Sequence, residues 1–381
     1  MFCPCVSTVN GIMGGSRSTP LCKSRQLARK IVPLAVNHVT MTCPESQVAN
    51  LRLLLTPGTS VALIPHQGPD GDAMGSVLAL YHFLKNKGLL PTVVVPNDYP
   101  SFLSWLPGND SVVNAFTNKQ EAQKAILQAQ LIFHVDHNDI QRTGLLAEML
   151  RKSTAPRVLI DHHHDAILIP DVSFYDPQAS ATAELVYRLM VALDGEEAID
   201  LTIATCIYTG IMTDTGCFSY NSSRPDLFGV VEGLLRKGIN KDKIYGLVYD
   251  NFSEHRMRLL GDCLRRMEVI PGYQTAIMTL SLEQQQAFEF VTGDAEGFVN
   301  YPLSVQGVVF SAFFTEKEDR IRISFRSHGA FRVNRFAAAW FNGGGHENAS
   351  GGESSLSLQE TVEKFRKLLP LFADELSGVQ H

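Results

Sequence analysis

The chain has 381 residues, 45% of them hydrophobic, and a formal net charge of −6. That length suggests two domains with ordinary cores. The acidic balance excludes a nonspecific binder of long nucleic acid, while leaving room for a local basic pocket that takes a small nucleotide. No apolar stretch approaches the ~20 residues that cross a bilayer, so no membrane partner is expected.

The first 44 residues carry Arg17, Lys23, Arg25, Arg29 and Lys30 and no acidic residue. Such a leader reads as a disordered arm, as a start placed too early with Met41 the true one, or as an organellar transit peptide. Cys3, Cys5, Cys22 and Cys43 also fall here; Cys206, Cys217 and Cys263 lie in the body. Their spacing fits neither a disulfide framework nor a zinc ribbon, and a reducing, cytoplasmic setting is expected.

From about residue 48 the pattern alternates strand and helix. Residues 60–65 read as a strand and 74–87 as a helix. Residues 91–96 are a strand, 118–130 a helix, 131–135 and 157–160 strands. Helices are expected over 181–193, 198–212 and 226–237. This rhythm implies a parallel sheet covered on both faces. A charged amphipathic helix over 254–267 reads as a connector. Beyond Pro271-Gly272 the rhythm changes: strands over 274–280, 305–314 and 320–325, helices over 334–341 and 358–369. That is a second, smaller α/β unit from about residue 270.

The chemistry gathers at strand ends. His66-Gln67-Gly68-Pro69-Asp70-Gly71-Asp72 follows Val61–Ile64, Asp136 follows Leu131–Val135, and Asp161-His162-His163-His164 follows Val158–Ile160. In an open parallel sheet, ligands bind outside the carboxyl ends of the strands, so one crevice would receive all three clusters. Gly75 and Ser76 open a helix whose N–H groups could hold an anion. Asp214 ends the apolar helix over 198–212. Together these give four aspartates and two histidines, enough for two cations sharing one bridging carboxylate. Carboxylate and imidazole without thiolate suit Mn²⁺ or Mg²⁺ better than a structural zinc. Each piece alone is weak, since a loop aspartate is usually a cap or turn former; four in order, each at an element end, are not.

The ordered set His66-x-x-x-Asp70-x-Asp72-Ala73-x-Gly75-Ser76, Asp136, Asp161-His162-His163 and Thr213-Asp214-Thr215-Gly216 resembles the DHH phosphoesterase family. Gly343-Gly344-Gly345-His346-x-x-Ala349-x-Gly351, with Ser324-Phe325-Arg326-Ser327 before it, resembles the associated C-terminal nucleotide-binding domain. The resemblance spans roughly residues 48 to 375. It implies a phosphoesterase domain over 48–240, a helical linker over 241–269 and a substrate domain over 270–381, with a metal crevice between the domains; residues 1–47 are left as the leader, disordered or a mis-called start.

It also implies two Mn²⁺ ions, with Mg²⁺ or Co²⁺ as alternatives. His66 and Asp70 would hold one and Asp72, His162 and Asp214 the other, with Asp136 between them. Asp161 would orient its neighbours and His163 would face the scissile phosphate. His137 and His164 read as ordinary polar residues. Arg326, Ser327, Gly343, Gly344, Gly345 and His346 would bind substrate. Glu347 stands where a basic residue is common, and would repel a polyanion if it pointed inward; Ser350 stands where a second alanine is common. The expected activity is hydrolysis of short oligoribonucleotides to 5′-mononucleotides, with removal of the 3′-phosphate from 3′-phosphoadenosine 5′-phosphate. Alternatives are a linear or cyclic dinucleotide phosphodiesterase and a RecJ-type single-strand DNA exonuclease. Expected partners are short RNA or small nucleotides, and a homodimer is compatible with the sequence.

Overall fold

The computed structural model describes residues 43–164 and 166–378; the leader reading of residues 1–44 falls almost wholly outside them. Helix α1 (Glu45–Leu54) buries Val48 and Leu51. Then come β1 (Ser60–Ile64), α2 (Gly71–Asn86), β2 (Leu90–Val95), β3 (Val113–Asn114), α3 (Lys119–Leu127) and β4 (Leu131–Val135). They are followed by α4 (Ala147–Lys152), β5 (Arg157–Asp161), β6 (Val172–Tyr175), α5 (Thr182–Asp194), α6 (Leu201–Asp214), α7 (Pro225–Arg236) and α8 (Lys241–Tyr249). The six strands form one sheet in the order β3-β2-β1-β4-β5-β6, every pair parallel.

Side chains alternate across a strand, and both faces here are apolar. Val61, Leu63, Phe133, Val135 and Ile160 pack toward α2, α5 and α6. Ala62, Ile64 and Ile132 pack on the other side, against Ala122 and Ile126 of α3 and Leu150 of α4. After β3 the chain crosses to the far side of β1 and adds β4, so the strand order reverses between β1 and β4. That is where a crevice opens in an open α/β sheet, and His66 and Asp136 stand on its two sides.

The second sheet follows α9 (Glu254–Arg265). Its elements are β7 (Glu268–Ile270), β8 (Thr275–Leu280), α10 (Leu282–Ala287), β9 (Phe310–Glu316), β10 (Ile321–Ser327), α11 (Val333–Trp340), β11 (Gly344–His346), β12 (Ala349–Ser354), α12 (Leu358–Leu368) and α13 (Ala373–Ser377). The order is β11-β12-β10-β9-β8-β7, with β8 and β9 the parallel pair. One face is a phenylalanine core in which Phe310, Phe325, Phe336, Phe341 and Phe365 meet. The opposite side packs Met278, Leu280 and Phe313 against Leu259, Leu260 and Cys263 of α9.

Several elements depart from the sequence reading. Residues 241–269 are not a simple connector. Ile244 and Val248 of α8 belong to the first core, whereas α9 packs on the second sheet. Residues 305–309 turn rather than extend, because the N–H groups of Val309 and Phe310 both donate to Gln274 O, at 2.7 and 3.2 Å. Strand β12, Ala-Ser-Gly-Gly-Glu-Ser, has no β-branched or aromatic residue to announce it. No described helix is long and apolar enough to cross a membrane. The two domains touch where Gly293 (φ 100°) meets Pro100; a Cβ at 293 would lie 3.0 Å from the proline Cβ.

Candidate metal centre

The loop after β1 is built to converge. Gly68, at φ 65°, makes a turn open to glycine, and its N–H donates to Asn97 Oδ1 at 2.7 Å. Asp70 caps α2: its Oδ1 accepts from the N–H groups of Asp72 and Ala73, both at 3.0 Å. The expectation that Gly75 and Ser76 open the helix toward an anion is corrected by this cap. The helix starts at Gly71, and both residues are buried one turn in. Gly75 instead serves helix packing, since a Cβ there would lie 2.5 Å from Cys206 O of α6. That close crossing brings Asp72, near the start of α2, beside Asp214, the last residue of α6.

Asp72 is 1% exposed and is gripped from α5. Its Oδ2 accepts from Thr182 N–H at 2.6 Å and its Oδ1 from Ala183 N–H at 2.9 Å. The first turn of α5 thus receives a carboxylate from another helix in place of a cap of its own. Asp136 leaves β4 with φ 64°, a left-handed conformation uncommon outside glycine and tolerated best by Asp and Asn. Thr182 Oγ1 donates to its Oδ1 at 2.8 Å. Thr182 therefore supports both buried aspartates. Nothing in the sequence marks it, because Asp72 lies 110 positions away.

The histidines are oriented by their distal nitrogens. His162 Nδ1 donates to Ala179 O at 3.0 Å, which makes Nε2 the lone-pair nitrogen whenever the imidazole is neutral. That Nε2 lies 3.4 Å from Asp214 Oδ2 and 3.8 Å from both Asp72 Oδ2 and Asp136 Oδ1, and it is buried without a hydrogen-bond partner. His66 Nδ1 donates to Gln67 O at 3.0 Å; its Nε2 lies 3.4 Å from Asp136 Oδ2 and 3.9 Å from Asp70 Oδ2. His163 Nδ1 donates to Asp161 Oδ1 at 2.8 Å, and Asp161 Oδ2 accepts from His163 N–H at 3.1 Å.

Among the described residues four groups bring ligand atoms within 4.8 Å of one another, and two of them hold the expected ligands: His66, Asp70 and Asp136, and Asp72, His162 and Asp214. Asp136 stands between them. The donors fit hard divalent cations, and the unpartnered His162 Nε2 among three carboxylates is the arrangement such a cation satisfies. Burial, with repulsion from Asp136 and Asp214, pushes the Asp72 carboxyl well above its usual range. Burial, with Asp70 and Asp136 adding repulsion, pushes Asp214 up to about 7. Burial pulls His162 down, but Asp214, Asp72 and Asp136 outweigh it and raise the imidazole to about 9.

The second domain supplies the roof. Arg326 pairs with Ala349 across β10 and β12, and Ala349 pairs with His346 across β12 and β11. Directly paired residues share a face, so Arg326, Ala349 and His346 form one row, with the small side chain in the middle. The next row on that face is Ser324, Gly351 and Gly344. A Cβ at Gly344 would meet nothing within 4 Å, so this face is a bare trough edged by Arg326 and His346. The flanking glycines have another cause. A Cβ at Gly343 would lie 2.0 Å from Gly351 O, and one at Gly345 would lie 2.7 Å from Ala349 O. They let β11 approach β12.

His346 reaches the first domain. Its ring stacks on His163 at 4.4 Å between centroids and 23° between planes, and lies 4.7 Å from His162. Burial first, then the neighbouring histidines, holds His346 well below its ordinary value. Ser327 stands apart from this face. It is 5% exposed; its Oγ donates to Phe331 O at 2.6 Å and accepts from Asn348 at 2.8 Å. Glu347 turns away from the crevice, its Oε1 lying 3.1 Å from Arg332 Nη1. His137 is a fully buried core histidine paired with His134 at 3.0 Å.

Residues 60–211 match the DHH family, N-terminal domain, and residues 277–375 match the DHHA1 domain. A crystal structure of an exopolyphosphatase-related protein from Bacteroides fragilis superposes with TM-score 0.84 at 39% identity, covering 88% of this chain and 98% of that one. The chain belongs to the DHH family. Within the DHH family it is similar to a protein of Thermus thermophilus named bifunctional oligoribonuclease and PAP phosphatase NrnA, at 27% identity over 83% of this chain and 90% of the relative. The Bacillus subtilis protein of the same name is 24% identical over 77% of this chain and 88% of its own length. RecJ from Thermus thermophilus shares the fold, with TM-score 0.52 at 14% identity, this chain spanning 54% of it.

Proposed function

We propose that this phosphoesterase hydrolyses short oligoribonucleotides to 5′-mononucleotides and removes the 3′-phosphate of 3′-phosphoadenosine 5′-phosphate, with Mn²⁺ as its cofactor. The observation that carries the reading is a pair of ligand sets, with Asp136 of one lying 3.8 Å from His162 of the other, beside a sheet face edged by Arg326 and His346. His66 and Asp70 would hold one cation and Asp72, His162 and Asp214 the other, with Asp136 within reach of both histidines. Bound there, a cation pair supplies Lewis acidity and a water of lowered pKa for in-line attack on phosphorus.

The chain's own residues do the rest. His163, its Nδ1–H held by Asp161, presents the Nε2 lone pair to the crevice beside the scissile phosphate, where it takes up a proton; burial holds this imidazole well below its ordinary value, so it is neutral before it does so. His346, stacked on it, contacts the same phosphate from the other domain. Arg326 grips a second phosphate of the substrate with its planar fork. Ala349, Gly351 and Gly344 leave space between these groups, and the roof encloses a substrate of a few nucleotides. The named activity of the NrnA relatives supports this substrate class. A relative named cyclic-di-AMP phosphodiesterase GdpP, 25% identical over 87% of this chain and 50% of its own length, makes a dinucleotide diester the competing substrate.

The test is a product time course with Mn²⁺ on a 5′-labelled diribonucleotide, phosphoadenosine phosphate, cyclic diadenylate and a long single-stranded DNA. The doubly substituted Asp72→Ala, His162→Ala protein is the control. Mononucleotide release from the diribonucleotide, absent in the control, is expected. Hydrolysis of the cyclic dinucleotide or of the long DNA alone replaces the proposal.

A further inference from the structure

We propose that Tyr220 is the platform on which a nucleobase of the substrate stacks, on the crevice where Arg326 grips a phosphate; this rests on the nucleotide reading above. The chain leaves α6 in an unusual way. Gly216, Cys217 and Phe218 are consecutively left-handed, at φ 53°, 57° and 65°, and Asn221 follows at 43°. For Cys217, Phe218 and Asn221, which are not glycine, this conformation is unfavourable and persists only where its surroundings hold it. Phe218 N–H donates to Thr215 Oγ1 at 3.0 Å, and the N–H groups of Ser219 and Tyr220 both donate to Thr215 O at 2.9 Å.

The loop is also tied to the metal centre. Asn221 Nδ2 donates at 3.2 Å to Ala179 O, the carbonyl that orients His162, and Ser180 Oγ donates to Asn221 O at 2.6 Å. Tyr220 is thus set in place from both sides, and yet it is 42% exposed. A Cβ at Gly216 would lie 2.7 and 2.8 Å from Cδ2 and Cε2 but 4.0 Å from Cγ. The ring therefore rests on the loop by one edge. Among the described residues no ring or cation stacks on either face.

Arg326 belongs to the same crevice: it shares a row with His346, whose ring lies 4.7 Å from that of His162, and His162 and the Tyr220 loop both donate to Ala179 O. An arginine fork and an open aromatic ring on one crevice recognise a nucleotide: the fork takes the phosphate and the ring takes the base. Stacking of this kind accepts any base, because every base has a π-face. Tyr220 thereby separates nucleotides from bare phosphate chains, a distinction that the metal ligands cannot make.

The test measures binding of 5′-AMP and of ribose 5-phosphate to the Mn²⁺-loaded full chain, with diribonucleotide hydrolysis followed in parallel. Wild type is expected to prefer AMP by roughly tenfold or more. Tyr220→Ala narrows the gap to within about twofold by losing AMP affinity alone, and Tyr220→Phe restores it. Equal binding of the two ligands by wild type, an unchanged gap in Tyr220→Ala, or an equal loss for both ligands overturns the inference. Diribonucleotide cleavage with an unchanged gap sinks the platform alone. A collapsed gap without cleavage supports the platform and sinks the proposed reaction.

Discussion

The imidazole of His346, carried by the second sheet, stacks on that of His163, carried by the loop after the first sheet, 4.4 Å apart and 23° from coplanar. The crevice is therefore assembled from both domains. Replacing His346 with Ala should lower kcat/KM by about 10²-fold, the scale of losing one positioned donor to a phosphoryl oxygen. Thermal unfolding should change little, because the residue is only partly buried and lies on a short edge strand. An unaltered kcat/KM would remove His346 from the site.

Asp136 belongs to one ligand set, its Oδ1 lies 3.8 Å from His162 Nε2 of the other, and it sits in a left-handed backbone at φ 64°. Asn accepts that conformation and Ala does not, at a cost of about 1–2 kcal/mol. Asp136→Asn should fold like wild type but lose the rise in Tm that Mn²⁺ produces by binding the native state. Asp136→Ala should lose that rise and also unfold at lower temperature in EDTA. Differential scanning fluorimetry with and without Mn²⁺ checks both.

Between pH 7 and 9 the metal-free protein should become less stable. His162 is raised to about 9 by Asp214, Asp72 and Asp136 acting against its burial. The folded state therefore keeps a proton that the unfolded state, at the ordinary 6.5, has lost. The stability this contributes is complete below the unfolded value and disappears as pH rises through the folded one. Mn²⁺ requires the neutral imidazole, so the gap in Tm between Mn²⁺ and EDTA should widen over the same interval. In His162→Ala the metal-free fall should flatten; a fall that persists assigns it to another group.

Gly344 and Gly343 should respond oppositely to a side chain. The trough face at 344 is open, so Gly344→Val should fold normally and raise KM for a diribonucleotide several-fold by filling space that the substrate needs. A Cβ at 343 would meet Gly351 O at 2.0 Å, so Gly343→Ala should destabilise the second sheet by about 1–3 kcal/mol. Urea unfolding and steady-state kinetics separate the two effects.

Glu347 pairs with Arg332 at 3.1 Å in a solvent-exposed setting. Exposed pairs contribute about 0–1 kcal/mol. Glu347→Ala should therefore leave KM for a diribonucleotide within about twofold and Tm nearly unchanged. A marked fall in KM would mean that the carboxylate does repel substrate.

The doubly covered parallel sheet was legible because its strands are continuous apolar runs and its helices carry 3.6-residue periodicity. The site's chemistry was legible for a related reason. Hard ligands at the ends of β1, β4 and β5 can only meet where a parallel sheet brings strand ends together. What escaped was whatever lacks a local signature. Strand β12 is mostly glycine and serine, and β3 has two residues. The anion role given to Gly75 overlooked that Asp70 takes the free N–H groups of α2.

The sequence by itself determined which side chains could ligate, and the fold class that would gather them, because both follow from residue type and short-range periodicity. Only the tertiary structure decided their orientation. Thr182 holds Asp72 and Asp136, Ala179 O fixes the tautomer of His162, and Arg326, Ala349 and His346 fall in one row. Most of these contacts join residues far apart along the chain. Hydrogen bonds and strand registers act over a few ångströms in space, and no periodicity in one dimension records them.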